Sequence, residues 1–254
     1  MGQLLSQAYR QCDTDDTVRA IVLTGTGDAF CAGADLSAPR SPFDTPEDEF
    51  TASPIDPAAF ELSTPVIAAV NGHAIGIGLT IALQADIRIM AADAKYAVPQ
   101  VRRGVVADCM AHWTLPRLAG TAVAAEILLT GRTFSGHEAA QMGIATRCLP
   151  AAEVLDHALS TARDIAVNVA PRSAALSKRL LWDTVINGYP PRQVAELETQ
   201  LHHQVMGSPD AGEGVEAFLQ RRAPRWSSSA QRDEAPAPSG RSTKKSISGS
   251  GPPP

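Results

Sequence analysis

Phe30-Cys31-Ala32-Gly33-Ala34-Asp35-Leu36 and Asn71-Gly72-His73-Ala74-Ile75-Gly76-Ile77-Gly78 carry the strongest signal in this chain. Each follows a β-branched run that reads as a buried strand, AIVLT at 20–24 and PVIAAV at 65–70. Small residues at such strand exits let a backbone pass close to a ligand, because no side chain intervenes. The second stretch runs into LTIAL at 79–83, a helical pattern whose first N–H groups have no partner inside the helix. Unpaired amides of this kind favour negative charge. Two of them aimed at one oxygen would stabilise an enolate or a tetrahedral intermediate.

At 254 residues the chain is long enough for one sizeable core or two modest ones. Hydrophobic residues make up 44% and charged residues 19%, ordinary for a globular protein. The net charge of −5 argues against a general nucleic-acid surface. No apolar run approaches the ~20 residues of a membrane helix, and MGQLLSQAYRQ lacks a signal-peptide pattern. Met1, Gly2 and Ser6 match a myristoylation pattern, but the segment reads better as an amphipathic helix. Cys12, Cys31, Cys109 and Cys148 show neither metal spacing nor a disulfide framework, which suits a reduced, cytoplasmic setting.

Periodicity predicts a helix at 4–12 and strands at 18–24, 65–70, 87–91 and 96–98. Helical patterns follow at 108–118, 120–129, 135–142, 152–168, 173–186, 191–206 and 210–221. Strand–helix alternation through the first half implies an α/β fold with largely parallel pairing. Residues 37–57 are rich in Pro, Ser and acids and read as a mobile loop. Residues 227–254 have almost no apolar content and are expected to be disordered.

The glycine stretches resemble the crotonase superfamily, also called the enoyl-CoA hydratase/isomerase family. AFCAGADL at 29–36, PVIAAVNGHAIGIG at 65–78, LTGRTFSGHEAAQMGIATR at 129–147 and EGVEAFLQRRAPRW at 213–226 carry the likeness. It covers about residues 1–226. It implies an α/β crotonase (ClpP-like) fold, with a spiral ββα core at 1–170, a helical trimerisation layer at 171–226 and a tail at 227–254. The family usually opens with a further strand pair and a turn that helps to bind CoA; this chain starts after that point.

The resemblance implies that the oxyanion amides are those of Ala34 and Ile77, with the Ile77 side chain turned away from a thioester. Ala32, Gly33, Asp35, Gly76 and Gly78 would shape the substrate loops, Asp35 by accepting backbone N–H bonds. Family hydratases hold water with two glutamates, whose places are taken here by Thr80 and Gln100. Neither can exchange a proton near neutral pH as a carboxylate does. Gln100 is left to orient a water or a carbonyl, and Thr80 reads as packing.

Asp108 is the replacement candidate, in GVVADCMAHW where a new helix is expected to begin. Dienoyl-CoA isomerases of the family have an aspartate at this place. An aspartate at a helix start also suits an N-cap, a role worth ~1 kcal/mol. His112, four residues on, would share its helix face. His73 is expected to pack under its loop, and Asp44, Glu47, Asp48 and Glu49 read as a solvated acidic run. Arg221 and Arg222 match a basic pair that can approach CoA phosphates, with Lys178 in the same class. Glu126 and Glu138 read as structural.

The expected function is double-bond isomerisation of an enoyl- or dienoyl-CoA, with Asp108 moving the proton and no metal or redox cofactor. The acyl-CoA thioester is the expected partner, in a homotrimer or hexamer. Hydration of a 2-enoyl-CoA is one alternative, and a degenerate member that binds acyl-CoA without turnover is another.

Overall fold

Short apolar runs separated by tight turns become two four-stranded sheets. The computed structural model describes residues 1–35 and 50–230. The chain enters through α1 (Gly2–Thr14), β1 (Ile21–Thr24) and β2 (Ala29–Cys31), and crosses to β3 (Val66–Val70) through a 3-10 turn at Ala59–Glu61. β4 (His73–Ile75), α2 (Ile77–Ala82), β5 (Ile87–Ala91), β6 (Lys95–Ala97) and a second 3-10 turn at Gln100–Arg103 follow. Then come α3 (Ala111–Thr130), β7 (Thr133–Ser135), α4 (Gly136–Gln141), β8 (Arg147–Leu149) and α5 (Ala151–Asn168). The C-terminal layer is α6 (Pro171–Asn187), α7 (Pro191–Val205) and α8 (Pro209–Gln220).

One sheet has the order β1-β3-β5-β8 and is parallel throughout. The other has the order β2-β4-β6-β7, parallel except for β6 against β7. The successive pairs β1–β2, β3–β4 and β5–β6 each send one strand to each sheet, so the chain advances as a spiral. β3 is buried at every residue, the pattern of a parallel strand covered on both faces. α5 covers one side, packing on β1, β3 and β5.

A buried ionic knot fastens α6 to this core. Lys178 donates to the Ala59 and Thr64 carbonyls at 2.8 and 2.9 Å and pairs with Asp86 at 2.7 Å. Asp86 also accepts from the Val66 amide and the Trp182 indole, both at 2.7 Å. Burial pushes the Lys178 pKa down, and the facing Asp86 pulls it partly back. Lys178 is therefore a structural cation and not a phosphate ligand. Phe60, Trp113 and Trp182 stack beside it with centroids 5.1–6.0 Å apart, tying α3 to α6.

Several boundaries differ from expectation. β1 begins at Ile21, since 18–20 lie outside the ladder. α3 starts three residues late and is interrupted at Gly120, where two helical patterns were expected. Residues 50–57, placed in a mobile loop, are held: the Asp56 amide donates to the Ser6 hydroxyl at 3.0 Å, and Ile55 is buried. The rest of that expected loop, 37–49 with its acidic run, lies outside the described residues, as does Leu36. The tail is likewise ordered at its start, because Asp210 accepts from the Ser227 and Ser228 amides at 2.7 and 3.1 Å. Residues 231–254 lie outside the described residues.

Candidate active site

The two glycine loops meet where β2 and β4 pair, with Ala29 opposite His73 and Cys31 opposite Ala74. A Cβ on Gly78 would fall 2.2 Å from the Cys31 carbonyl oxygen, so only glycine allows this approach. Gly33 adopts a φ of 95°, with the Ile75 carbonyl 2.8 Å from where its Cβ would stand. Pressed together in this way, the loops place Ala32, Gly33, Ala34, Gly76 and Ile77 on the wall of one cavity of about 510 Å³. Gly78 lies behind that wall as the contact point. The Gly76 carbonyl takes the Leu79 and Thr80 amides at 3.0 and 3.1 Å, while the Gly76 amide goes to Ala97 at 2.9 Å. The Ile77 side chain is partly buried and packs against the core cluster.

Asp108 lines the same cavity. Its carboxylate does not cap α3, whose N-cap is Met110 and has no side-chain cap bond. Instead Oδ1 accepts the Thr80 hydroxyl at 2.6 Å and Oδ2 accepts the Gln100 amide Nε2–H at 3.1 Å. Thr80 therefore does more than pack, correcting the sequence reading. Gln100 is buried, lines the cavity, and keeps its Oε1 without a hydrogen-bond partner. A buried acceptor of this kind is costly to leave unpaired, at ~1–3 kcal/mol.

The turn that presents Asp108 is strained. Cys109 and Met110 have φ of 44° and 61°, consecutive left-handed conformations in non-glycine residues. Each costs on the order of 1–3 kcal/mol and persists only where its surroundings impose it. The Cys109 amide donates to the Ala52 carbonyl at 2.8 Å, and its carbonyl accepts the Gln84 side chain at 3.1 Å. Burial first, and Asp108 next, push the Cys109 thiol up to about 12, so it is not a nucleophile at neutral pH.

Val105, Val106, Phe50 and Pro54 make the rest of the wall largely apolar, and Arg103 and Asp108 are the charged residues among the described lining. The remaining candidates sit elsewhere. Asp35 ends the described part of its loop and is not among the lining residues. Arg221 is exposed at the C-cap of α8, apart from the cavity of its own chain. Arg222 is engaged by Glu213 through two bonds at 2.5 and 3.0 Å, which corrects its assignment to phosphate. His112 is exposed and one residue inside α3, while Asp108 precedes the helix, so the two do not share a helix face. His73 is exposed and accepts the Lys95 amide at 2.9 Å, not packed under its loop. Glu126 and Glu138 are structural as expected, holding Arg132 at 2.6 and 2.8 Å. Gln84 was not singled out from the sequence, although a lone amide in the apolar run LTIALQAD is the signal that could have found it.

Among the described residues no helix is long and apolar enough to cross a membrane. The family model for enoyl-CoA hydratase/isomerase matches residues 2–229. The enoyl-CoA hydratase ACTT3 of Alternaria alternata is 36% identical over 229 residues, covering 89% of this chain and 75% of the relative. A carnitinyl-CoA dehydratase of Proteus mirabilis is 34% identical, covering 87% and 86%. A crystal structure from Mycobacterium abscessus, described as a probable enoyl-CoA hydratase/isomerase, superposes with a TM-score of 0.86. It is 59% identical over 89% of this chain and 88% of the other. Spiral core, crossed glycine loops and similarity over residues 2–229 agree: this chain belongs to the enoyl-CoA hydratase/isomerase family of the crotonase superfamily.

Proposed function

We propose that the protein is an acyl-CoA enzyme in which Asp108 is the single carboxylate that moves a proton on the acyl chain. The observation that carries this reading is a carboxylate that lines the same cavity as Ala34 and Ile77 and is held by two neutral donors. The thioester oxygen would take the Ala34 and Ile77 amides, where enolate charge develops and where each donor is worth about 3–4 kcal/mol. Asp108 would remove a proton from one acyl carbon and return it to another two bonds away, shifting the double bond. This chemistry needs one base and no water, and no cofactor beyond the CoA of the substrate.

A second reading has its own support. Water addition or removal needs an acceptor for the second O–H of the water, and the unpartnered Gln100 Oε1 beside Asp108 supplies one. Relatives named enoyl-CoA hydratase and carnitinyl-CoA dehydratase favour it too. Conversion of 2-enoyl-, 3-enoyl- and dienoyl-CoA by the parent chain and by Asp108→Asn separates the readings. A shifted double bond lost in Asp108→Asn supports isomerisation, and a C3-hydroxylated product supports hydration. CoA binding without turnover would leave only a non-catalytic role.

The same proposal includes self-assembly through the C-terminal layer into a trimer or hexamer. α7 buries none of its residues, and Leu181, Phe218 and Leu219 are exposed. Apolar faces of this kind suit contact with further copies of the chain.

A further inference from the structure

Gln84 is 1% exposed, in the apolar run that ends α2. Its side chain makes one hydrogen bond, from Nε2 to the Cys109 carbonyl at 3.1 Å, and its Oε1 is buried without a partner. A methionine or leucine could fill this space without stranding an acceptor, so the amide is kept at the expense of packing. What it holds is the first of two left-handed residues, and Cys109 directly follows Asp108. The second fastening of Cys109, its amide to the Ala52 carbonyl at 2.8 Å, comes from the cavity wall itself. Both backbone groups of Cys109 are therefore tied, one to the wall and one to the core. Without the core tie, the turn has a lower-energy route back to ordinary backbone angles, and that route swings the Asp108 carboxylate away from Thr80 and Gln100.

We propose that Gln84 is a positioning residue: by holding the Cys109 carbonyl it maintains the left-handed turn that aims Asp108 into the cavity. The inference rests on the reading of Asp108 as the acid/base and deepens it, assigning to a buried amide outside the cavity the control of that group's orientation.

The test is Gln84→Met, which keeps length and bulk and removes the donor. The expected variant unfolds at the parent midpoint or above it. Its kcat falls by roughly 10–100-fold, the size typical of lost support behind an active group, with KM within about twofold. In the Asp108→Asn background the substitution adds no further loss of kcat, as expected for a residue acting through Asp108. Alkylation of Cys109, read on its own peptide by mass spectrometry, becomes faster as the turn opens. Gln84→Leu repeats the series with a second apolar shape, so that misfolding of one variant does not decide the result. A folded variant with parental kcat and Cys109 labelling overturns the proposal, as does a full additional loss of kcat on top of Asp108→Asn. If Asp108→Asn itself retains turnover, the acid/base reading fails first, an outcome distinct from an inactive Asp108→Asn beside a fully active Gln84→Met.

Discussion

Asp86 and Asp108 both end apolar runs, and their surroundings give them opposite roles. Asp86 faces the Lys178 ammonium, an indole N–H and a backbone amide, so its charge is balanced and its oxygens are occupied. Asp108 has two neutral donors and an open cavity before it. A carboxylate with a buried counter-ion is committed to the fold, because moving its proton would strand the cation. A carboxylate held by neutral groups keeps the capacity to exchange a proton without breaking an ion pair. The lesson is that the neighbours' charge, more than burial alone, divides structural from chemical aspartates here.

The contrast predicts opposite phenotypes. Asp108→Asn should lower turnover by roughly 10²–10⁴-fold, the usual share of a general acid/base. Its stability should stay within about 1 kcal/mol of the parent, since the Gln100 amide can rotate to present its unpaired oxygen to the new donor. Steady-state kinetics beside urea unfolding reads both quantities. Asp86→Asn should do the reverse, destabilising the fold by about 3–5 kcal/mol through an unpaired buried Lys178, while any folded fraction keeps its KM. Equal stability losses in the two variants would erase the distinction.

Gly78→Ala probes the crossing of the two glycine loops that line the Asp108 cavity. The added Cβ meets the Cys31 backbone oxygen, so the loops must part, at ~1–3 kcal/mol of stability and with a larger proportional loss in kcat than in CoA binding. A parental kcat would separate the crossing from the chemistry. The smallest effect belongs to a half-buried carboxylate, Glu213. Hydrogen bonds from Arg222, then from the Arg225 amide, hold it well below its ordinary 4.5, at about 2. A group depressed in this way contributes stability above pH 4.5 and loses it as the pH falls towards 2. Hydrogen exchange should therefore accelerate at residues 222–226 over that window.

Much of the fold is legible because it is written locally. The β-branched runs before each glycine loop, the Ser135–Glu138 capping box of α4 and the Pro-led starts of α6, α7 and α8 are each set by residues a few positions apart. β2, β4, β7 and β8 were not read as strands, because three residues carry little period and these exist through pairing with distant strands; of the three-residue strands only β6 was anticipated. The cavity wall at Ala34 and Ile77 was readable from family motifs, and the structure gives both residues one cavity. The roles of Thr80, Gln84 and Lys178 were not readable, because their partners stand 28, 25 and up to 119 residues away.

From its residues alone this chain specifies alternating strands and helices, two glycine loops and an aspartate near a helix start, since propensity and spacing act over a turn or a strand. Only the packed molecule makes that aspartate face a cavity instead of capping the helix, and turns a surface-looking lysine inward. Those outcomes depend on which distant donors and carbonyls the spiral brings within 3 Å, and hydrogen bonding at that range follows from three-dimensional proximity, not from order along the chain.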